Sequence, residues 1–170
     1  MKPGVHNEII LIILSLSTTA LAAGGKRQEK AHIHGQGALN GVVDQGTVEL
    51  DLDLPMDDVV GFERKPKNDA EKKGLEGAMT ILKSVEKGFA FPAAAQCVAT
   101  SQSADYEIGK GHASIEAKYT MTCKNPSALD AIEVLLFSRF PRMKELKAQF
   151  VTPTGQKSFE LSLKNTKVTL

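Results

Sequence analysis

His32 and His34 are separated by a single residue. On an extended segment, side chains two apart leave the same face, so both imidazoles can reach one ion. Neutral imidazole ligates zinc, copper and nickel. Spacing alone does not separate this from two solvated side chains near a chain terminus. His112 and Glu116 are four residues apart in a second extended stretch, again on one face. Two histidines with a third histidine or a carboxylate make a zinc site, with water as a fourth ligand. Nothing in the spacing brings the second stretch to the first. Glu49, Asp51 and Asp53 alternate along another strand and read as a solvated edge rather than a hard-cation cluster. The spaced acids and glycine of a calcium loop are absent.

Other chemistries find little support. The sequence has no Gly-x-Ser-x-Gly elbow and no His-Glu-x-x-His helix. A barrel hydrolase also uses His-x-His, but such a barrel needs about 250 residues, and this chain has 170. A copper–zinc superoxide dismutase shares the size and the His-x-His pair, yet its two metals need more histidines than remain here. The 21 basic and 20 acidic residues are interleaved, for a net charge of +1. A nucleic-acid binder would show a basic stripe.

The N-terminus carries Lys2, then an unbroken Ile, Leu and Ser run over 9–16, then Ala20-Leu21-Ala22. A basic start, a short apolar core and a small-x-small site are the parts of a secretory signal. The run is too short to cross a bilayer, which takes about 20 residues. Residues 1–22 are expected to be removed, leaving 23–30 as a flexible polar terminus and 31–170 as one folded domain. His6 leaves with the leader, so three histidines remain. No cysteine follows the leader, which argues against a lipoprotein. Export places Cys97 and Cys123, the only two cysteines, in an oxidising compartment, where a disulfide is the default.

Those residues need elements to position them. Residues 32–44 lead into Gln45-Gly46, a turn signal, and 47–54 alternate cleanly. The pattern predicts a hairpin with Leu50, Leu52 and Leu54 buried and Glu49, Asp51 and Asp53 exposed. Asn68 caps a helix predicted over 68–87, with Glu71 in the capping-box position and Gly88 as its stop. Leu75, Ala78, Met79, Leu82 and Val85 form its apolar face. Strands are predicted over 97–107 and 112–123, then a turn at 125–131 around Pro126. A central strand over 132–137 and a short helix over 141–147 follow. A second hairpin joins 147–152 to 157–163, and 168–170 adds an edge. The sum is a single α+β domain with a largely antiparallel sheet, one main helix and one disulfide.

Several segments, taken in order, resemble the ZrgA-like family of periplasmic zinc-binding proteins. They begin at His32-Ile33-His34-Gly35 with Leu39, then Asp51-Leu52-Asp53-Leu54-Pro55 and Val60-Gly61-Phe62-Glu63. Phe91-Pro92-Ala93-Ala94-Ala95-Gln96-Cys97 follows, then His112 with Tyr119-Thr120-Met121-Thr122-Cys123. Leu136-Phe137-Ser138-Arg139-Phe140-Pro141 and Thr154-Gly155-Gln156 complete the set. The resemblance implies a non-enzymatic protein that binds Zn2+ and assists its acquisition by, or delivery to, a periplasmic ATP-driven (ABC) zinc importer.

There are two departures. Members often carry a His- and Asp-rich loop between the cysteines, and residues 98–122 here hold one histidine, which excludes storage of several ions there. Members tend to have histidine after Gly-Phe-Glu, where this chain has Arg64. The expected site is His32, His34 and His112, with Glu63 or Glu116 as a fourth ligand or an orienting carboxylate. A metal-free interaction module, a copper-binding protein and a hydrolytic zinc enzyme are the competing readings. One consequence is testable at once. Mass spectrometry of the exported protein should find a chain beginning at Ala23; an intact Met1 start would remove the export argument.

Overall fold

The computed structural model describes residues 33–170. The leader, the segment 23–30 and His32 lie outside the described residues. Gln36–Asp44 forms β1 and Thr47–Pro55 forms β2. Gln45 (φ 45°) and Gly46 (φ 85°) turn between them. Two successive positive φ values are the signature of the type I′ turn, whose twist suits a hairpin. Leu50, Leu52 and Leu54 are at most 2 % exposed. On the opposite face Glu49 is exposed, but Asp51 and Asp53 are half-buried rather than free in solvent.

Three helices follow: α1 (Met56–Val60), α2 (Asp69–Leu82) and α3 (Val85–Gly88). Asn68 caps α2 by accepting from the Glu71 N–H at 2.9 Å. The predicted helix over 68–87 is broken at Lys83-Ser84. The Tyr119 hydroxyl takes the Leu82 carbonyl at 2.7 Å, and the Val85 N–H donates to the Gln102 side chain. These tertiary bonds replace helical ones. α3 does end at Gly88, but as its last helical residue without a positive φ, buried against Leu136.

Phe89–Ala90 (β3) leads to the long hairpin of β4 (Cys97–Ile108) and β5 (Ala113–Cys123). β6 (Ala131–Val134) and α4 (Leu136–Arg139) come next, then β7 (Glu145–Thr152), β8 (Gly155–Leu161) and β9 (Lys167–Thr169). The strand predicted over 132–137 therefore stops early and turns into α4. The helix predicted over 141–147 is absent. Leu146, Ala148 and Phe150 alternate into the core, so β7 begins at Glu145.

The large sheet runs β4-β5-β2-β1-β7-β8, and a small sheet runs β3-β6-β9. Every ladder is antiparallel except β1 with β7. The fold is α+β, with α2 as the one long helix among the described residues. One face of the large sheet, the buried side of α2 and the small sheet form a single hydrophobic core. Phe89 of the small sheet meets Tyr119 of the large one edge-on, ring centroids 5.5 Å apart. Burying each such leucine or aromatic stabilises by about 1.5–3 kcal/mol. No helix among the described residues is long and apolar enough to cross a membrane.

Cys97 and Cys123 face each other across the β4–β5 ladder and are bonded, with Cα atoms 3.8 Å apart. The bond closes a loop of 26 residues, for which the chain-entropy model gives about 3 kcal/mol. Cys97→Ser with Cys123→Ser should lower unfolding stability by about that amount in urea titrations. Free thiols detected by alkylation of the native protein would contradict the bridge.

Candidate metal-binding site

The ladders put three chain positions at one end of the large sheet. Ala38 of β1 and Glu116 of β5 both pair with Asp53, near the C-terminal end of β2. The residues just before β1, those just after β2 and those just before β5 therefore share that end. His34 precedes β1, Glu63 follows α1, and His112 precedes β5.

His34 is not on a strand. Gln36 N–H donates to Ile33 O at 3.0 Å, which closes a turn over 33–36. Gly35 has φ +85° and His34 is not among the residues with positive φ. That combination is a type II turn, which demands glycine at its third position. At His34 the chain is in a turn rather than in a strand, and His32 lies outside the described residues. Gly35 is gripped on both sides. Its N–H donates to Asp58 Oδ1 at 2.6 Å. Its carbonyl accepts from Lys144 N–H at 2.9 Å and Glu145 N–H at 2.8 Å.

The turn presents His34 to Glu63, with Nε2 to Oε2 at 3.3 Å. In tetrahedral zinc, ligand bonds of about 2.0–2.2 Å put neighbouring donor atoms about 3.3–3.5 Å apart. The pair is an ion pair when His34 is protonated, and its spacing also matches two corners of a zinc tetrahedron. The His34 side chain is 63 % exposed and that of Glu63 is 16 % exposed. Glu63 Oε1 is buried with no hydrogen-bond partner among the described residues. Leaving a buried carboxylate oxygen unsatisfied is costly, and a bound cation would relieve it. Beside His34 a surface cleft of about 510 Å³ is also lined by Asp57, Asp58, Arg142 and Lys144.

The loop carrying Glu63 is held from below. Arg64 grips the Glu71 carboxylate with both terminal nitrogens, at 2.6 and 2.9 Å. Its guanidinium lies 4.9 Å from the Phe62 ring centroid. Glu71 also accepts from the Lys67 N–H at 2.7 Å, so its carboxylate serves the loop rather than closing the predicted capping box. Arg64 therefore clamps this loop.

His112 is half-buried and lies against Gly109 of the preceding turn. Glu116 is half-buried on the outer face of β5, directly opposite Asp53. β1 and β5 flank β2, so their backbones lie roughly 10 Å apart at the usual strand spacing. The structure joins His34 with Glu63, and keeps His112 with Glu116 on the far side of β2. Among the described residues, no three His, Cys, Asp or Glu side chains converge on one point.

The sequence reading missed Asp58. It is 1 % exposed, and burial raises its carboxyl above the ordinary value while the Gly35 N–H opposes that. It also missed the Arg142–Asp57 ion pair at 2.7 Å. No spacing motif marks either.

A family model described as ZrgA family zinc uptake protein matches residues 31–170. The chain belongs to this family. The ZrgA family is transport-associated rather than catalytic, in keeping with an open histidine–carboxylate pair. No curated protein matches the sequence. The disulfide fits a ZrgA protein working outside the reducing cytoplasm.

The Arg64 clamp has a measurable pH signature. Arg64, then the Lys67 N–H, hold the Glu71 carboxyl at about 2, below its ordinary 4.5. A depressed carboxyl pKa adds stability that is present above 4.5 and is lost as pH falls through about 2. Glu71→Gln should flatten that part of the acid limb in denaturant titrations run from pH 5 to pH 2 (about the span of the shift).

Proposed function

We propose that this is a periplasmic zinc-binding protein, exported by cleavage of residues 1–22, that hands Zn2+ to a zinc importer of the ATP-driven class. It performs no turnover. The observation that carries the reading is the His34–Glu63 pair, set at zinc-ligand spacing over a buried carboxylate oxygen. Family membership supplies the zinc-uptake context.

Zinc is cargo here, and the donor chemistry suits cargo. Imidazole nitrogen and carboxylate oxygen are ordinary zinc donors. A structural zinc site is closed by four protein ligands, whereas His34 is largely exposed. An incoming chelator or acceptor protein can reach such an ion. His32 and His112 are the nitrogen donors proposed to complete the set. Glu116 is proposed as a carboxylate on the same end of the sheet.

The exported protein should be titrated with zinc against a chelator of known affinity. His32→Ala, His34→Ala, His112→Ala and Glu63→Gln should each weaken binding about tenfold or more. A triple histidine variant that binds as tightly as wild type would end this reading. So would a wild type that binds no zinc at micromolar concentration, in which case a metal-free interaction module takes its place. A parallel Cu(II) titration followed by its visible spectrum tests the copper alternative.

A further inference from the structure

We infer that Asp58 is a positioning residue for the zinc site, acting through the main chain of Gly35 rather than by touching the ion. The inference rests on the assignment of His34 to that site. Asp58 lies 23 residues beyond Gly35 and belongs to α1, a different element. Its carboxylate is almost fully buried, in a place where an acid carries a desolvation cost. Its Oδ1 meets the Gly35 N–H at 2.6 Å. Oδ2 is buried with no hydrogen-bond partner among the described residues. The bond to Gly35 is the side chain's one hydrogen bond among these residues, and its carboxylate also interacts electrostatically with Asp57, His34 and Arg142.

That bond has a geometric consequence. A type II turn fixes the direction of its second side chain, here His34, only while the third residue keeps positive φ. Gly35 is the third residue, and its peptide neighbours are held from two directions. Asp58 takes its N–H, and the start of β7 donates twice to its carbonyl. The carbonyl bonds alone leave the peptide plane between His34 and Gly35 free to rotate, because that plane ends at the Gly35 nitrogen. Asp58 locks it. With that plane fixed, His34 Nε2 is held over Glu63 Oε2. Glu63 is five residues from Asp58 and is tied to the same α1 segment through the Gly61 cap, whose N–H bonds Asp57 O at 2.8 Å. One short helix thus carries one ligand and orients the other.

The test compares Asp58→Ala, Asp58→Asn and Gly35→Ala with wild type in the exported protein. Zinc affinity is measured by chelator competition. The His34 ring is followed by 1H–15N correlation in metal-free protein, where no zinc is needed. Asp58→Ala should lower zinc affinity about 10- to 100-fold and move the His34 ring signals toward those of free histidine. The His112 ring signals should stay in place, which general unfolding would not permit. Asp58→Asn keeps an acceptor for the Gly35 N–H and should restore both readouts to near wild type. Gly35→Ala, strained at φ +85°, should copy Asp58→Ala, and carries the test if Asp58→Ala does not fold. Wild-type His34 signals in either of these two variants would overturn the proposal. An Asn variant as impaired as the Ala variant would also overturn it, since charge rather than the hydrogen bond would then matter. If wild type binds no zinc, the zinc reading fails, and the His34 signals still decide whether Asp58 orients the ring.

Discussion

Burial of the alternating leucines of β2 is the constraint on which the rest of the structure depends. Leu50, Leu52 and Leu54 face the core, and β2 pairs with β1 on one side and β5 on the other. A one-residue slip of β2 would expose all three leucines and bury the acids between them. The register is therefore fixed by several kcal/mol of apolar burial. With the register fixed, so is the end of the sheet where β1 begins, β2 ends and β5 begins. The β1, β2 and β5 ladders therefore bring the segments next to His34, Glu63 and His112 to that end.

The site is built on loops and turns supported by this rigid frame. His34 projects from a turn, Glu63 from the loop after α1, and His112 from a point just before β5. Each has neighbours bonded or packed against its turn or loop. Asp58 and β7 brace the first, Arg64 and Glu71 the second, and the Gly109 turn the third. Orienting groups of this kind set how closely donor atoms are held to a metal's preferred geometry. The exposure of His34 suits the proposed carrier site and not a closed structural zinc site.

Much of the frame was legible in the sequence, because it follows local rules. The β1–β2 hairpin follows from period-two alternation and Gln45-Gly46. The α2 start follows from Asn68, and the disulfide follows from two cysteines behind a predicted export signal. What was illegible depends on partners distant in sequence. The break after Leu82 is made by Tyr119 and Gln102. The loss of a helix before β7 reflects pairing with β1, which no local pattern announces. At the site, Glu63 came from family resemblance and the structure sets it against His34. His34-Gly35 carried an unread signal, since glycine after a polar residue at a strand start marks a turn. Asp58 carried none, because a buried acid in a short helix looks like any acid in a first helical turn.

The parallel pairing of β1 with β7 sets an order of events. Gln36 pairs with Glu145, 109 residues later, and the Gly35 carbonyl waits for the Lys144 and Glu145 amides. Bringing such distant segments together closes a long loop, and pairings of that kind form late. The hairpins β1–β2, β4–β5 and β7–β8 are local and can form while the chain is still emerging. The Gly35 carbonyl in the turn bearing His34 gains its bonds only once β7 has arrived. In a partly emerged chain His34 is therefore present before the bonds that tie its turn to β7.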